Sequence, residues 1–216
     1  VLFRSTLRRV RPDDAIVGEE DGRIDGGSGI TWYVDPIDGT TNFLYDIPMW
    51  AVSIGVHDES GPLCGVVYAP ALRETFTARR GHGAHLNGRP ISCGNVTDPA
   101  AALVTTGFNY APANRVVQAR RLPHLVDKIR DVRRFGAASL DLCFVACGRY
   151  DAYFEEYLFP WDLAAGALVA TEAGAMIGSI DGGPSTPSFT NQSAILAANP
   201  GLFHQIQQLV FASNSP

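Results

Sequence analysis

The stretch Trp32–Phe43, WYVDPIDGTTNF, limits what this chain can fold into more than any other. Ile30, Trp32, Tyr33 and Val34 are β-branched or aromatic and predict a buried strand. Pro36 is expected to stop it, because proline brings no ladder donor. Asp35 and Asp38 follow, with Pro36 and Ile37 stiffening the backbone between them. Gly39 and Thr40 then let main-chain N–H groups approach an anion closely, and the residues after them can open a helical turn whose amino end favours phosphate. Two carboxylates beside an anion cradle call for cations between them, and hard oxygen ligands near a phosphate point to Mg²⁺. A plain tight turn accounts for Asp38-Gly39 alone. It gives no reason for the ordered run of Asp, Pro, Asp, Gly, Thr, Thr and Asn.

Asp35 to Asn42, DPIDGTTN, resembles the signature of the inositol monophosphatase family of Mg²⁺-dependent, lithium-sensitive phosphatases. Trp161-Asp162, followed by the small-residue run Leu163-Ala164-Ala165-Gly166, resembles the family's second signature, and Gly18-Glu19-Glu20 a third element. The likeness runs in the family's order from Ala15 to Asn199. It implies an α+β fold built as a layered αβαβα sandwich. It also implies a phosphomonoesterase that uses two or three Mg²⁺ ions on a small polyol phosphate, works as a homodimer and needs neither membrane nor nucleic acid. Inositol 1-phosphate is the first expected substrate. Histidinol phosphate, fructose 1,6-bisphosphate and 3′-phosphoadenosine 5′-phosphate are the alternatives within the class. From another class comes a non-catalytic regulatory protein acting with the transcription machinery.

Carried over position by position, the resemblance gives Glu19 to metal binding and the attacking water, with Glu20 behind it. One ion is assigned to Glu19, Asp35 and the Ile37 carbonyl, and a second to Asp35, Asp38 and Asp162. The amides of Gly39 and Thr40 are assigned to phosphate, and the Thr40 hydroxyl to orienting the water with an acid from an amino-terminal segment. Glu155, seven residues before Asp162, matches a glutamate that touches substrate hydroxyls, whereas Glu156 is expected to do nothing. Gly136-Ala137-Ala138 match the lining of the polyol pocket, which Asp38 and Asp162 also face. Taken alone, Asp162 behind Pro160 and Trp161 reads as a helix N-cap.

Composition fits this reading. With 46% hydrophobic and 18% charged residues in 216, the chain can bury a sizeable core, and a net charge of −5 disfavours a nucleic-acid surface. Cys64, Cys93, Cys143 and Cys147 show no zinc spacing. Cys143 and Cys147 read as buried thiols, which suits a reducing cytoplasm. His57, His82, His85, His124 and His204 lie outside every motif, so a phosphohistidine route lacks its parts. Arg120-Arg121 and Arg133-Arg134 read as solvated surface. The chain opens at Val1 with room for a single helix remnant where the family usually carries two helices. A truncated amino end, missing the acid that partners Thr40, is therefore expected.

Along the chain, Val1 to Val10 reads as helix, Ala15-Ile16-Val17 as strand and Asp21 to Gly29 as exposed loop. Ala51–Val56 and Cys64–Tyr68 read as a hairpin, Glu74 to Ala78 as a third strand, and Asn87-Gly88 as a type I′ turn. Later come strands at Ala102–Gly107, Val132–Phe135 and Asp151–Phe154. Helices are expected at Asn114 to Ile129 (interrupted at Pro123), Ala137 to Cys147, Asp162 to Ala173 and Leu202 to Phe211. This divides the chain into an antiparallel first half, 1–95, carrying the Asp-rich turn, and a mixed second half, 96–216, carrying the Trp-Asp motif and the substrate pocket.

Overall fold

The computed structural model describes residues 2–20, 22–180, 182 and 193–211. Helix α1 (Leu2–Val10) leads into eight strands: β1 (Ala15–Gly18), β2 (Gly22–Ile24), β3 (Thr31–Asp38), β4 (Ala51–Asp58), β5 (Gly61–Ala69), β6 (Glu74–Arg79), β7 (Ala84–Leu86) and β8 (Arg89–Ile91). They form one sheet in the order β2-β1-β3-β4-β5-β6-β7-β8, with the short helix α2 (Thr40–Leu44) between β3 and β4. Only β1 and β3 pair in parallel; the other neighbours are antiparallel. Asn87 (φ 50°) and Gly88 (φ 76°) both sit in the left-handed region, as a type I′ turn between β7 and β8 requires.

Two expectations fail here. The stretch expected to be loop contributes β2, which pairs with the edge of β1. Pro36 does not end its strand: pairing with β4 slips between Asp35↔Ser53 and Asp38↔Ala51, then resumes. The missing donor is absorbed as a bulge, inside which the Ile37 N–H donates to Asp35 Oδ1 at 2.9 Å.

The second sheet holds β9 (Leu103–Thr106), β10 (Asp131–Arg133), β11 (Ala152–Leu158), β12 (Met176–Gly178) and β13 (Ser193–Ala198), in the order β10-β9-β11-β13-β12. Strands β12 and β13 carry no alternating pattern because β13 is covered on both faces, and the sequence reading missed both. Helix α3 (Pro112–Ala119) ends well before Pro123, which sits in a separate 3₁₀ turn, Leu122–His124. The long helix expected there is therefore cut short, since proline has no N–H to continue it.

Two helices, α4 (Ala138–Ala146) and α5 (Pro160–Glu172), lie between the sheets, and every residue of α4 is buried. Small residues allow the close approach. A Cβ on Gly55 would stand 2.6 Å from the Ala164 Cβ, and one on Gly65 would stand 2.9 Å from the Ala165 Cα. Gly55 and Gly65 are register partners, so they form one shallow seat for α5. Their strand neighbours face the other way, where Phe3 of α1 meets Trp32 edge-on at 6.1 Å. In the second sheet Tyr153, Ile195 and Ala197 join the central core, while Phe154, Leu196 and Ala198 pack with Phe203 and Ile206 of helix α6 (Phe203–Phe211). The layers therefore run helix, sheet, helices, sheet, helix. Each fully buried Leu or Phe contributes about 1.5–3 kcal/mol to holding them together. All four cysteines are free thiols. Among the described residues no helix is long and apolar enough to cross a membrane.

Candidate active site

The carboxyl ends of β3 and β11 meet the amino ends of α4 and α5 at one cleft of about 150 Å³. From the first half Glu19, Asp35, Ile37, Asp38, Gly39 and Thr40 line it; from the second half Gly136, Ala138, Glu155 and Asp162 do. Residues as much as 143 positions apart in sequence are thereby assembled (Glu19 to Asp162). Ala137 does not line the cleft. It is buried, with its methyl 3.1 Å from where a Cβ on Gly39 would fall, because Gly39 and Gly136 turn the two segments tightly against each other. Glu20 lies outside the cleft, along a shallower groove beside α1 that Glu19 also lines.

Asp38 is fixed by α4: Oδ1 accepts from the Ala138 N–H at 3.2 Å, and Oδ2 accepts from the Ser139 N–H at 2.7 Å and the Ser139 hydroxyl at 2.5 Å. Asp162 is the third residue of α5 rather than its N-cap. Its Oδ2 accepts the Phe159 N–H at 2.7 Å, which still satisfies the helix start. Burial pushes the Asp35 carboxyl up to about 9, and the charges of Asp38, Glu19 and Asp162 add to the rise. Burial also raises Asp38, against the pull of its Ser139 and Ala138 bonds, and holds Asp162 well above the ordinary range.

Acids that raise one another in this way lack a counter-charge, and their all-oxygen donor set suits a hard divalent cation. Among the described residues no three His, Cys, Asp or Glu side chains already stand as a closed cage. Mg²⁺ does not require one, since it keeps several waters and binds through one or two carboxylates.

The turn after β3 is held from both sides. Gly39 has φ 86°, and a Cβ there would press on the Met49 and Gly136 carbonyls and on Ala137. The Thr40 hydroxyl donates to the Ile37 carbonyl at 2.9 Å, so that carbonyl is already partnered on one lone pair. Asn42 is buried, and its side-chain amide donates to the Met49 and Phe135 carbonyls, each at 2.6 Å. The motif's asparagine thus joins the two halves of the site rather than touching anything in the cleft.

Glu155, also in the cleft wall, is half-buried and accepts from the Tyr153 hydroxyl at 2.8 Å. Burial pushes its carboxyl up to about 7, with Asp38 adding to the rise and Tyr153 and Arg134 opposing it. A Cβ on Gly107 would fall on the Glu155 carboxylate, so a larger residue there would have to displace that side chain. Beneath it Asp141 is buried in α4, accepting from the Thr105 hydroxyl at 2.9 Å and raised well above its usual range by burial and by Glu155.

Three readings of this region need correction. Arg121 is buried rather than solvated: it gives Nε and Nη2 to Glu156 at 2.9 and 2.6 Å, and Nη1 to the Val210 carbonyl at 2.9 Å. Glu156 is therefore an ion-pair partner and not a neutral control. Arg134 is exposed but lines the cleft, with Phe108, Asn109, Tyr110 and Tyr157. Nothing in the sequence marked those residues. Tyr157, at φ 64°, is the one such residue with a backbone signature, a strained left-handed conformation costing on the order of 1–3 kcal/mol.

A profile of the inositol monophosphatase family matches residues 2–213. The chain belongs to that family. It is 43% identical over 215 residues to an inositol-1-monophosphatase of Mycobacterium bovis, a match that covers 95% of this chain and 72% of the relative. It is 39% identical over 202 residues to Nus factor SuhB of Pasteurella multocida, covering 93% and 74% of the two chains. Among solved structures, SuhB of Mycobacterium tuberculosis superposes with a TM-score of 0.86 at 41% identity, over 99% of this chain and 82% of that one. The inositol monophosphatase from Anabaena gives 0.88 at 35%, over 97% and 82%. The fold is that of inositol monophosphatases, and family membership supports phosphatase activity.

Proposed function

We propose that this family member is a Mg²⁺-dependent phosphomonoesterase acting on a small polyol phosphate, with inositol 1-phosphate first among its substrates. The observation that carries this reading is the cleft itself, which Glu19, Asp35, Asp38, Asp162 and Glu155 all line. The residues that would hold the metal are those four acids and the Ile37 carbonyl. When bound, Mg²⁺ supplies Lewis-acid polarisation of a water and neutralises charge on the leaving oxygen.

The chain's own residues do the rest. Asp38 and Asp162 are pre-oriented by backbone N–H donors, so they need no reorganisation on loading. The Gly39 turn presents main-chain amides to the phosphate, and the Thr40 hydroxyl orients the attacking water. Glu155, steadied by Tyr153, accepts a hydrogen bond from a hydroxyl of the leaving group. The stacked Phe159 and Trp161 rings, 4.9 Å apart, form an apolar wall that limits water on that side. We place the protein in the cytoplasm, in line with its free thiols, and take a homodimer as its working form.

Phosphate release should be measured from inositol 1-phosphate, histidinol phosphate, fructose 1,6-bisphosphate and 3′-phosphoadenosine 5′-phosphate, with Mg²⁺ and with a chelator. Release from the first, abolished by chelation, is the expected result. No release from any of the four would overturn the reading.

Relatives named Nus factor SuhB, 38–40% identical, favour a second reading, a regulatory role in transcription. Such a role needs no turnover. It gains ground if Asp38→Asn leaves capture of transcription-complex proteins unchanged while phosphate release is absent even in the wild type.

A further inference from the structure

Strand β11 breaks its pairing with β13 between Glu155 and Leu158, and the two residues in the break are Glu156 and Tyr157. Glu155 and Tyr157 line the cleft. Glu156 points to the opposite face of the sheet, where Arg121 grips its carboxylate with both Nε and Nη2. The pair is largely closed off from solvent, with side-chain exposures of 7% and 15%.

Gln118, only 4% exposed, completes the grip. Its Nε2 donates to the Glu156 carbonyl at 3.2 Å, and its Oε1 accepts the Asn109 N–H at 2.8 Å. Both ends of one buried amide are thus spent on the backbones of two separate pieces of cleft wall. A left-handed Tyr157 persists only where its surroundings over-determine it, and these are the surroundings.

We infer that Gln118 and Arg121 are positioning residues that set substrate preference: from behind the sheet they clamp the Glu156–Tyr157 bulge, and so fix Glu155 and the Asn109 loop against the leaving group. This rests on the phosphomonoesterase reading above. The clamp acts on the end of the cleft that meets hydroxyls, while Asp35, Asp38 and Asp162 are held by other elements. It therefore affects polyol phosphates and spares a phosphate ester with no hydroxyls to recognise.

The test compares KM and kcat for inositol 1-phosphate and for p-nitrophenyl phosphate, in Mg²⁺, for wild type, Gln118→Met, Gln118→Glu and Arg121→Lys. Gln118→Met removes both hydrogen bonds at similar volume and should raise KM for inositol 1-phosphate roughly tenfold, the equivalent of about one or two lost hydrogen bonds, with the aryl ester little changed. Gln118→Glu keeps the acceptor for Asn109 but turns a buried carboxylate oxygen toward the Glu156 carbonyl, so it should raise KM for inositol 1-phosphate at least as much as Gln118→Met. Arg121→Lys keeps the charge but loses the two-pronged grip, so it should act in the same direction and decides the matter if Gln118→Met fails to fold. Unchanged KM for both esters would overturn the inference. So would equal losses on both esters that track the melting temperature, because a merely structural role behaves that way. A wild type that releases phosphate from neither ester overturns the functional reading, and the inference with it.

Discussion

Asp38 offers one carboxylate oxygen to the Ala138 N–H and the other to Ser139, so an amide nitrogen placed on either side must face a donor. Asp38→Asn should lower kcat by more than about 10²-fold, since it removes a negative charge from the site proposed to hold the cations. It should also lower the unfolding free energy by about 1–2 kcal/mol through the lost acceptor. Rates and a urea titration check the two halves separately. Glu155 gives a pH signature. Its carboxyl is held up to about 7, so it becomes fully anionic only above neutrality, the state that suits its proposed role as acceptor for substrate hydroxyls. KM for a polyol phosphate should fall as pH rises from 6 to 8. Glu155→Gln should raise KM roughly fivefold and flatten that dependence, because an amide does not titrate. A Gln variant that kept the slope would place the titrating group elsewhere.

At the scale of elements, α4 and α5 serve both as spacer between the sheets and as support for the acids. Helix α5 rests on Gly55 and Gly65 across its Ala164-Ala165 edge, and its first turn carries Asp162 into the cleft. Gly55→Ala would put a methyl 2.6 Å from the Ala164 Cβ and 2.8 Å from its carbonyl carbon. The helix must lift, at a cost of about 1–3 kcal/mol. Because Asp162 travels with it, activity should fall by more than the loss of folded protein explains. Denaturant midpoints measured alongside kcat test this, and a stability loss with full specific activity would show the helix to be a spacer only. Such a seat is invisible in the sequence: the glycines read as weak strand positions, and the partner alanines lie 109 and 100 residues further along the chain.

For the molecule as a whole, the crowded acids make stability depend on pH and on cation. Asp35 holds a proton to about 9 in the fold but to only 3.8 when unfolded. The folded state therefore binds more protons across that window, and without metal its stability falls as pH rises from about 4 to 9. A divalent cation reverses the repulsion and binds the deprotonated acids, so its effect grows with pH. Mg²⁺ at a hundredfold excess over its Kd should add about 2.7 kcal/mol, or roughly 5–10 °C in Tm for a chain of this size. The shift should be larger at pH 8 than at pH 5. Thermal melts with Mg²⁺ and with a chelator at both values measure it, and a Tm indifferent to Mg²⁺ at pH 8 would remove the cation from this cleft.

The sequence by itself determined the local chemistry. The stretch from Trp32 to Thr40 announced a strand, a tight glycine turn and two carboxylates between them, since β-branched, aromatic and glycine residues each restrict their own neighbourhood. The Trp-Asp and Gly-Glu-Glu motifs named the acids that the fold brings to the same cleft. Helices α4 and α5 were legible as runs of small apolar residues. What only the tertiary structure decided depends on partners distant in the chain. Asn42 turned out to stitch two halves together, and Arg121 turned out to be buried on Glu156. Arg134 and the Phe108–Tyr110 loop became cleft wall, and β13 became a strand between two covered faces. None of these follows from neighbours in sequence, because burial and hydrogen-bond partnership are properties of where the chain returns to itself.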